Sequence, residues 1–133
     1  MKRKRMVGLV LFGLIAVFGL SSCGSPKAAN SPEDVVKAYL QALVAKDGAT
    51  LSSLSCADWE SSALMELDSL QAVDVRLDGL SCAQAGTDGA YSLVKCQGNI
   101  IATYNGEDQA IDLSKRSYKV TGQGDTMLVC GYQ

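Results

Sequence analysis

The order of hydrophobic and polar residues divides the chain into an apolar leader, a helical region and a region of alternating residues. In the leader, an almost unbroken apolar run over residues 6–20 follows four basic residues at positions 2–5. The run is shorter than the roughly 20 residues that a transmembrane helix needs, and it has the length of the hydrophobic part of a signal peptide. We therefore predict that residues 1–22 form a cleaved signal peptide.

The helical region begins at Ser31. Ser31 and Asp34 have the spacing of a capping box, and Pro32 fits the first turn of a helix, where its missing amide hydrogen is not needed. The apolar residues that follow recur on one helical face, at Val35, Val36, Tyr39, Leu40, Leu43 and Val44. The segment Lys46-Asp47-Gly48 is predicted to end this helix.

Two further helices are predicted before residue 71. One is short and covers residues 49–54. The other covers residues 57–70, with an apolar stripe made of Trp59, Ala63, Leu64, Leu67 and Leu70. Three acidic residues are predicted to lie off that stripe, namely Glu60, Glu66 and Asp68. Paired carboxylates can serve as general acid and base, but on a helix face we expect them to be solvated.

After residue 70 the apolar spacing changes to two, which is typical of strands with one buried face. The pattern predicts strands over residues 73–82, 90–104, 109–120 and 126–132, with turns over residues 84–89 and 121–125. Gly98 is a place where the second strand can bend, Asn105-Gly106 is a hairpin turn, and the third strand is weak over residues 114–116. We therefore predict one α+β domain over residues 31–133, with N-terminal helices packed on a curved four-stranded antiparallel sheet.

Charge and composition exclude several functions. Without residues 1–22 the chain has 8 basic and 14 acidic residues, a net charge of −6. Nucleic-acid binding requires clustered Lys and Arg, so we predict no nucleic-acid partner. The chain has no histidine, which excludes Ser–His and Cys–His catalysis. We predict no catalytic residue and no cofactor.

The end of the leader, Leu20-Ser21-Ser22-Cys23, resembles the lipobox of bacterial lipoproteins, in which an aliphatic residue and two small residues precede a cysteine. The resemblance implies cleavage before Cys23, a diacylglyceryl group on its thiol and often an acyl chain such as palmitate on its amine. Two or three acyl chains anchor a protein stably. We therefore expect an extracytoplasmic protein, lipid-anchored to the outer face of the cytoplasmic membrane or to an outer membrane. Residues 23–30 are predicted to be the lipidated cysteine and a flexible tether.

Four further cysteines are predicted to form disulfides, namely Cys56, Cys82, Cys96 and Cys130. An even number in an exported chain indicates two bridges, with three possible pairings. Zinc is the alternative, but zinc sites usually contain closely spaced cysteine pairs, so we predict no metal. The predicted elements favour Cys56 with Cys82. The other two cysteines would then lie on non-adjacent strands about 10 Å apart, beyond the reach of a disulfide, so the pairing stays open.

Residues 31–54, SPEDVVKAYLQALVAKDGATLSSL, resemble the opening helices of small secreted domains of the nuclear-transport-factor-2-like (cystatin-like) superfamily. The order of elements over residues 31–133 is similar too, which implies a cone-like sheet closed over the first helix. Catalytic members of the superfamily use acidic, Tyr or His residues inside the cone. No Asp or Tyr of this chain matches a catalytic position. Five aromatic residues are candidates for lining a pocket, although packing in the core or at its rim is the favoured interpretation: Tyr39, Trp59, Tyr91, Tyr104 and Tyr118.

These observations predict a non-catalytic binding or interaction module, with a small molecule or an envelope protein as its partner. One alternative is a small isomerase or dehydratase that uses an Asp and a Tyr in a pocket. Another is an accessory subunit of an envelope complex. A deep cavity that holds a desolvated Asp beside a tyrosine hydroxyl would favour the enzyme, whereas a cone filled by Leu and Val side chains would argue against it.

Overall fold

The computed structural model describes residues 31–133, and the predicted signal peptide (1–22), lipidated Cys23 and tether (23–30) lie outside the described residues. Three helices come first, as predicted: α1 (Pro32–Val44), α2 (Gly48–Ser53) and α3 (Ala57–Ser69). Five strands and a 3-10 helix follow: β1 (Asp74–Asp88), β2 (Tyr91–Tyr104), β3 (Glu107–Asp112), the 3-10 helix (Leu113–Lys115), β4 (Ser117–Gln123) and β5 (Thr126–Tyr132). The chain is therefore an α+β protein with an antiparallel sheet.

Short polar segments set the helix boundaries. The Ser31 side chain accepts a hydrogen bond from the amide of Asp34 (3.2 Å), which confirms the predicted start of α1. The predicted stop after α1 is a turn, but Gly48 begins α2, and the residue with a positive φ (58°) is Lys46. Asp47 caps α2 by accepting a hydrogen bond from the Thr50 amide (3.0 Å). The turn therefore both ends α1 and starts the next helix.

The long hairpin of β1 and β2 differs from the prediction at its tip. Residues 84–89 are predicted to be a turn, but β1 continues to Asp88 and pairs there with Tyr91, so the turn is confined to Gly89 and Ala90. The strand instead contains a register shift between Gln84 and Gly86, and Gly86 has a φ of 129°. A β-bulge accommodates turn-forming residues within a strand, which explains the misleading pattern.

The third predicted strand is two strands, so the predicted count of four is wrong. The 3-10 helix interrupts it at Leu113–Lys115, where the strand pattern is weak. Asp112 stabilises the interruption, since its carboxylate accepts hydrogen bonds from the amide (2.9 Å) and the hydroxyl (2.6 Å) of Ser114. Fully buried Leu113 anchors this segment in the core.

Two strands, β3 and β4, pair with the same edge of β2, one with each half of that strand. Residues 99–104 of β2 pair with β3 and residues 92–95 pair with β4, while β1 pairs along the other edge. Gly98 separates the two halves, with a φ of 99° and a register shift opposite it, between Asp78 and Ser81. A Cβ at position 98 would lie 2.5 Å from the Asp78 carbonyl oxygen, so only glycine fits there.

The structure contains two disulfides, Cys56–Cys130 and Cys82–Cys96, and the predicted pairing of Cys56 with Cys82 is wrong. Cys82 and Cys96 lie directly opposite each other on β1 and β2, with Cα atoms 4.0 Å apart. Cys56 lies beside β5, because its amide donates a hydrogen bond to the Val129 carbonyl (2.8 Å). The expected separation of Cys96 from Cys130 by an intervening strand holds, since β4 lies between β2 and β5.

The hydrophobic core lies between the helices and one face of the sheet. The apolar face predicted for α1 is fully buried at Val35, Val36, Tyr39, Leu40 and Leu43. It packs against side chains from the strands and the 3-10 helix, including Val94, Ile100, Leu113, Val120 and Val129. Burial of this one helix face is therefore the main link between the helical region and the sheet.

Candidate functional site

Three of the five predicted pocket aromatics converge between α3 and the last strands. Tyr39 and Tyr118 are fully buried, with ring centroids 6.4 Å apart. The indole Nε1 of Trp59 donates a hydrogen bond to the Tyr39 hydroxyl (3.1 Å). Tyr132 completes the group, with its ring centroid 5.4 Å from that of Trp59 and 5.5 Å from that of Tyr118. We call Tyr39, Trp59, Tyr118 and Tyr132 the aromatic cluster.

Helical spacing and a glycine together place Trp59. On α3, Trp59, Ala63 and Leu67 recur on the side that faces the sheet. In β5, Gly131 has a φ of 117°, and a Cβ there would lie 3.1 Å from Cε3 of the Trp59 ring. The missing side chain at position 131 therefore lets the indole ring lie against the strand.

An ion pair borders the aromatic cluster. Nη1 of Arg116 donates a hydrogen bond to Oε1 of Glu66 at 2.8 Å, and both side chains are only 18% exposed. The guanidinium carbon of Arg116 also lies 4.3 Å from the centroid of the Tyr132 ring, in cation–π geometry. The prediction that Glu66 is solvated is therefore wrong: Glu66 points toward the sheet and joins α3 to the segment before β4.

Sequence reasoning missed Glu66 and Arg116 for different reasons. Glu66 follows Trp59 by seven residues, about two helical turns, so this spacing already indicates a shared face. Arg116 is 50 residues further along the chain, directly after the 3-10 helix. No local pattern connects Arg116 with Glu66, because their contact depends on how α3 packs on the sheet.

Burial governs the ionisation of the tyrosines in the aromatic cluster. Desolvation raises the pKa of Tyr118 to about 12, although the positive charge of Arg116 acts in the opposite direction. Desolvation also raises the pKa of Tyr39 and that of Tyr132. The three phenols are therefore protonated at neutral pH.

Beside the ion pair, two buried polar atoms have no hydrogen-bond partner among the described residues, namely Oε2 of Glu66 and the hydroxyl of Tyr118. Arg116 lies near enough to Tyr118 to affect its pKa, but the two groups do not have the geometry of a hydrogen bond. Burial lowers the pKa of Arg116, and the charge and hydrogen bond of Glu66 more than offset this, so its pKa is raised overall. Arg116 therefore stays charged and paired with Glu66.

The tyrosines of the aromatic cluster are unsuited to act as general bases at neutral pH. A tyrosine acts as a general base only when it is deprotonated, which the raised pKa values disfavour. Among the depressions that described residues form, one of about 390 Å³ lies on the outside of α3 and another of about 260 Å³ lies beside Cys130. Other residues line both of them, so neither opens onto the cluster.

The remaining two predicted pocket residues lie elsewhere. Tyr91 begins β2, is 37% exposed and lines the depression beside Cys130. The ammonium group of Lys119 is 5.9 Å from the centroid of its ring. Tyr104 ends β2 next to the hairpin turn and is 58% exposed. The five aromatics therefore do not line one common pocket.

Within residues 31–133, no three His, Cys, Asp or Glu side chains are grouped as a metal ion would require. In the same part of the chain, no helix has the length and hydropathy needed to cross a membrane. No protein-family model, curated protein or solved structure matches the chain.

Proposed function

We propose that this chain is a bacterial lipoprotein, lipid-anchored through Cys23 on the extracytoplasmic side of a membrane, whose domain is a non-catalytic binding module. The proposed fold of the domain is that of the nuclear-transport-factor-2-like (cystatin-like) superfamily, which is supported by the order of helices followed by an antiparallel sheet that packs on them. Its partner is a small molecule or a protein of the cell envelope.

Two disulfides support the proposed location independently of the lipobox. Disulfides persist in oxidising compartments outside the cytoplasm and are rare inside it. The bridge Cys82–Cys96 lies within the hydrophobic core, and Cys56–Cys130 joins the start of α3 to β5. Both connections belong to the folded domain, which supports folding after export.

The observation that carries the non-catalytic assignment is the filled space between α3 and the sheet. Catalytic members of the proposed superfamily use residues inside the cone, whereas here Tyr39 and Tyr118 are fully buried and Trp59 and Tyr132 pack against them. The Glu66–Arg116 ion pair occupies the border of the same space. The partner is therefore expected to bind on the outer surface.

The anchor is tested by expressing the full chain with labelled palmitate. The wild-type chain should incorporate label, be processed to the shorter form and stay with the membrane fraction in high salt. The variant Cys23→Ser should remain unlabelled. A wild-type chain that is exported but carries no lipid would contradict the anchor and leave the assignment of the domain open.

The binding role is tested by photo-crosslinking in cells. A photoreactive phenylalanine analogue is placed at Met65 or Tyr104, which are 64% and 58% exposed. Ultraviolet light should produce a specific adduct from at least one position, and the wild-type chain is the control. Illumination without any adduct at these and further exposed positions would count against a binding module.

An enzyme is the second candidate, favoured by two buried atoms that have no hydrogen-bond partner within residues 31–133, Oε2 of Glu66 and the hydroxyl of Tyr118. A carboxylate beside a phenol resembles the acid–base pair expected for an isomerase or dehydratase. The discriminating assay is a broad panel of isomerase, dehydratase and hydrolase substrates. Turnover that is lost in Glu66→Gln and in Tyr118→Phe would establish the enzyme and overturn the binding module.

A further inference from the structure

The two disulfides lie in different environments. Cys82 and Cys96 are 8% and 0% exposed, and both belong to the hydrophobic core cluster between the helices and the sheet. Cys56 is 8% exposed, but Cys130 is only partly buried. Cys130 is therefore the most exposed of the four cysteines. Thiol–disulfide exchange requires access to a sulfur atom, so Cys130 is the one we expect a thiolate to attack.

A surface depression leads to this disulfide. It has a volume of about 260 Å³ and is lined by both cysteines, by Asp58 at the start of α3, by Tyr91 and by Thr121. That volume is large enough to admit a thiol-bearing side chain. The disulfide Cys82–Cys96 does not line this depression or the one on the outside of α3.

The position of Cys56 makes it the better leaving group. Cys56 is the N-cap residue of α3, a helix of 13 residues, and its side chain makes no capping hydrogen bond. Its carbonyl oxygen accepts hydrogen bonds from the amides of Trp59 and Glu60 (both 2.9 Å), so the helix starts directly at this residue. A thiolate at a helix N-terminus is stabilised by the helix dipole, and a more stable thiolate leaves faster.

Opening the bridge does not remove the contact between β5 and the segment that precedes α3. The amide of Cys56 donates to the Val129 carbonyl, and the Val129 amide donates to the Leu54 carbonyl, each at 2.8 Å. Val129 is fully buried in the core. The two chain segments therefore stay side by side when the sulfur atoms separate, and the bridge can close again.

We propose that Cys56–Cys130 is an exchange site for an extracytoplasmic dithiol reductant, whereas Cys82–Cys96 is a permanent structural bridge. A thiolate of the reductant attacks Sγ of Cys130 and forms a new S–S bond with it. The bond between Cys130 and Cys56 breaks, and its electron pair leaves on Cys56 as a thiolate. The second thiol of the reductant then attacks the mixed disulfide, releasing Cys130 and becoming oxidised. Cys56 and Cys130 take up two protons in all.

The first test is stepwise reduction of the full-length protein in detergent. Free thiols are blocked, dithiothreitol is added in increasing amounts at pH 7.5, and new thiols are alkylated and located by peptide mass spectrometry. Cys56 and Cys130 should be labelled at a concentration at least tenfold lower than Cys82 and Cys96, with the circular dichroism spectrum unchanged. Simultaneous labelling of all four, or earlier labelling of Cys82 and Cys96, would overturn the proposal.

The second test identifies the sulfur atom that is attacked. Glutathione, a monothiol, is added to the folded protein, and the reaction is quenched with acid before mixed disulfides are mapped. Glutathione should be found on Cys130 at least fivefold more often than on Cys56. The reverse preference would contradict the assignment of Cys56 as the leaving group, whatever the outcome of the binding and lipidation experiments.

The third test changes a charge at the start of α3 and measures the rate of reduction of Cys56–Cys130. Asp58→Asn removes a negative charge beside Cys56 and should speed reduction roughly two- to fivefold, because the Cys56 thiolate and the incoming thiolate are both less repelled. Asp68→Asn is the matched control. Asp68 lies ten residues further along the helix, about 15 Å from Asp58, and salt screens the effect of its charge on the disulfide over that distance. Equal effects of the two variants would show that the start of α3 has no role.

Discussion

At the scale of single residues, Tyr39 and Tyr118 have similar burial but differ in the hydrogen bonding of their hydroxyl groups. Both are fully buried, and desolvation raises the pKa of each. The Tyr39 hydroxyl accepts a hydrogen bond from Trp59, whereas the Tyr118 hydroxyl has no partner among the described residues. Burying an unpaired polar group is costly, so the two hydroxyls have opposite effects on stability.

We predict that Tyr118→Phe raises the free energy of unfolding by about 1 kcal/mol, because it removes an unpaired buried hydroxyl. Tyr39→Phe is the matched control and should lower the free energy of unfolding by about 1 kcal/mol, because it leaves the indole Nε1 of Trp59 without its acceptor. Urea denaturation of both variants measures the difference. A loss of stability in Tyr118→Phe equal to that in Tyr39→Phe would contradict the assigned hydrogen bonding.

The ion pair of the aromatic cluster allows a second comparison. Arg116→Met should lower the free energy of unfolding by roughly 3 kcal/mol, because it leaves the largely buried Glu66 carboxylate unpaired and removes the contact with Tyr132. Arg76→Met is the control, since the side chains of the Arg76–Asp108 pair are 56% and 50% exposed, and it should cause little change. Adding Glu66→Leu to Arg116→Met should restore most of the stability.

At the scale of elements, Gly98 and Asp112 decide the shape of the sheet. Gly98 has a backbone conformation that other residues rarely adopt, and it marks the point where the partner of β2 changes from β4 to β3. Asp112 holds the 3-10 helix that carries the chain from one partner strand to the next. A five-stranded sheet thus results from two local interruptions in an otherwise simple meander.

We predict that Gly98→Ala lowers the free energy of unfolding by at least about 2 kcal/mol, because the added Cβ would meet the backbone of Asp78 and Gly79 and the φ angle is positive. Gly122→Ala in β4 is the control. It has no atom within 4 Å of the added Cβ and should change stability by less than about 1 kcal/mol. Thermal and urea unfolding compare the two variants, and equal effects would argue against close packing at Gly98.

At the scale of the whole molecule, the absence of histidine and the buried tyrosines set the response to pH. With no histidine, the chain lacks the side chain that ordinarily titrates between pH 6 and 8. The pKa of Tyr118 is about 12 in the folded state, above its ordinary value of 10.0. The folded state therefore disfavours the tyrosinate, and this stabilisation is complete below pH 10 and is lost as the pH rises toward 12.

We predict that the free energy of unfolding is nearly constant from pH 6 to pH 9 and falls steeply above pH 10. Tyr118 alone accounts for roughly 2–3 kcal/mol by pH 12, because one pKa unit corresponds to about 1.4 kcal/mol. Urea unfolding at a series of pH values measures the decline, and Tyr118→Phe should make it shallower. A decline that begins near pH 8 would exclude the tyrosines as its cause.

Much of this architecture could be predicted from local patterns. The face of α1, the start at Ser31, the three helices and the change to strand spacing after residue 70 depend on neighbours within one or two turns, and the structure confirms them. The weak pattern over residues 114–116 even indicated where the 3-10 helix interrupts the third predicted strand. The leader and Cys23 remain predictions, which the lipidation experiment addresses.

Long-range packing alone decided the rest. Cys82 meets Cys96 because of the register between β1 and β2, and Cys56 meets Cys130 because the segment before α3 lies along β5. Glu66 meets Arg116 across the same interface. Periodicity in a sequence specifies which face of an element is buried, but not which other element covers it or in what register, and those two quantities determine every contact of the aromatic cluster and of the proposed exchange site.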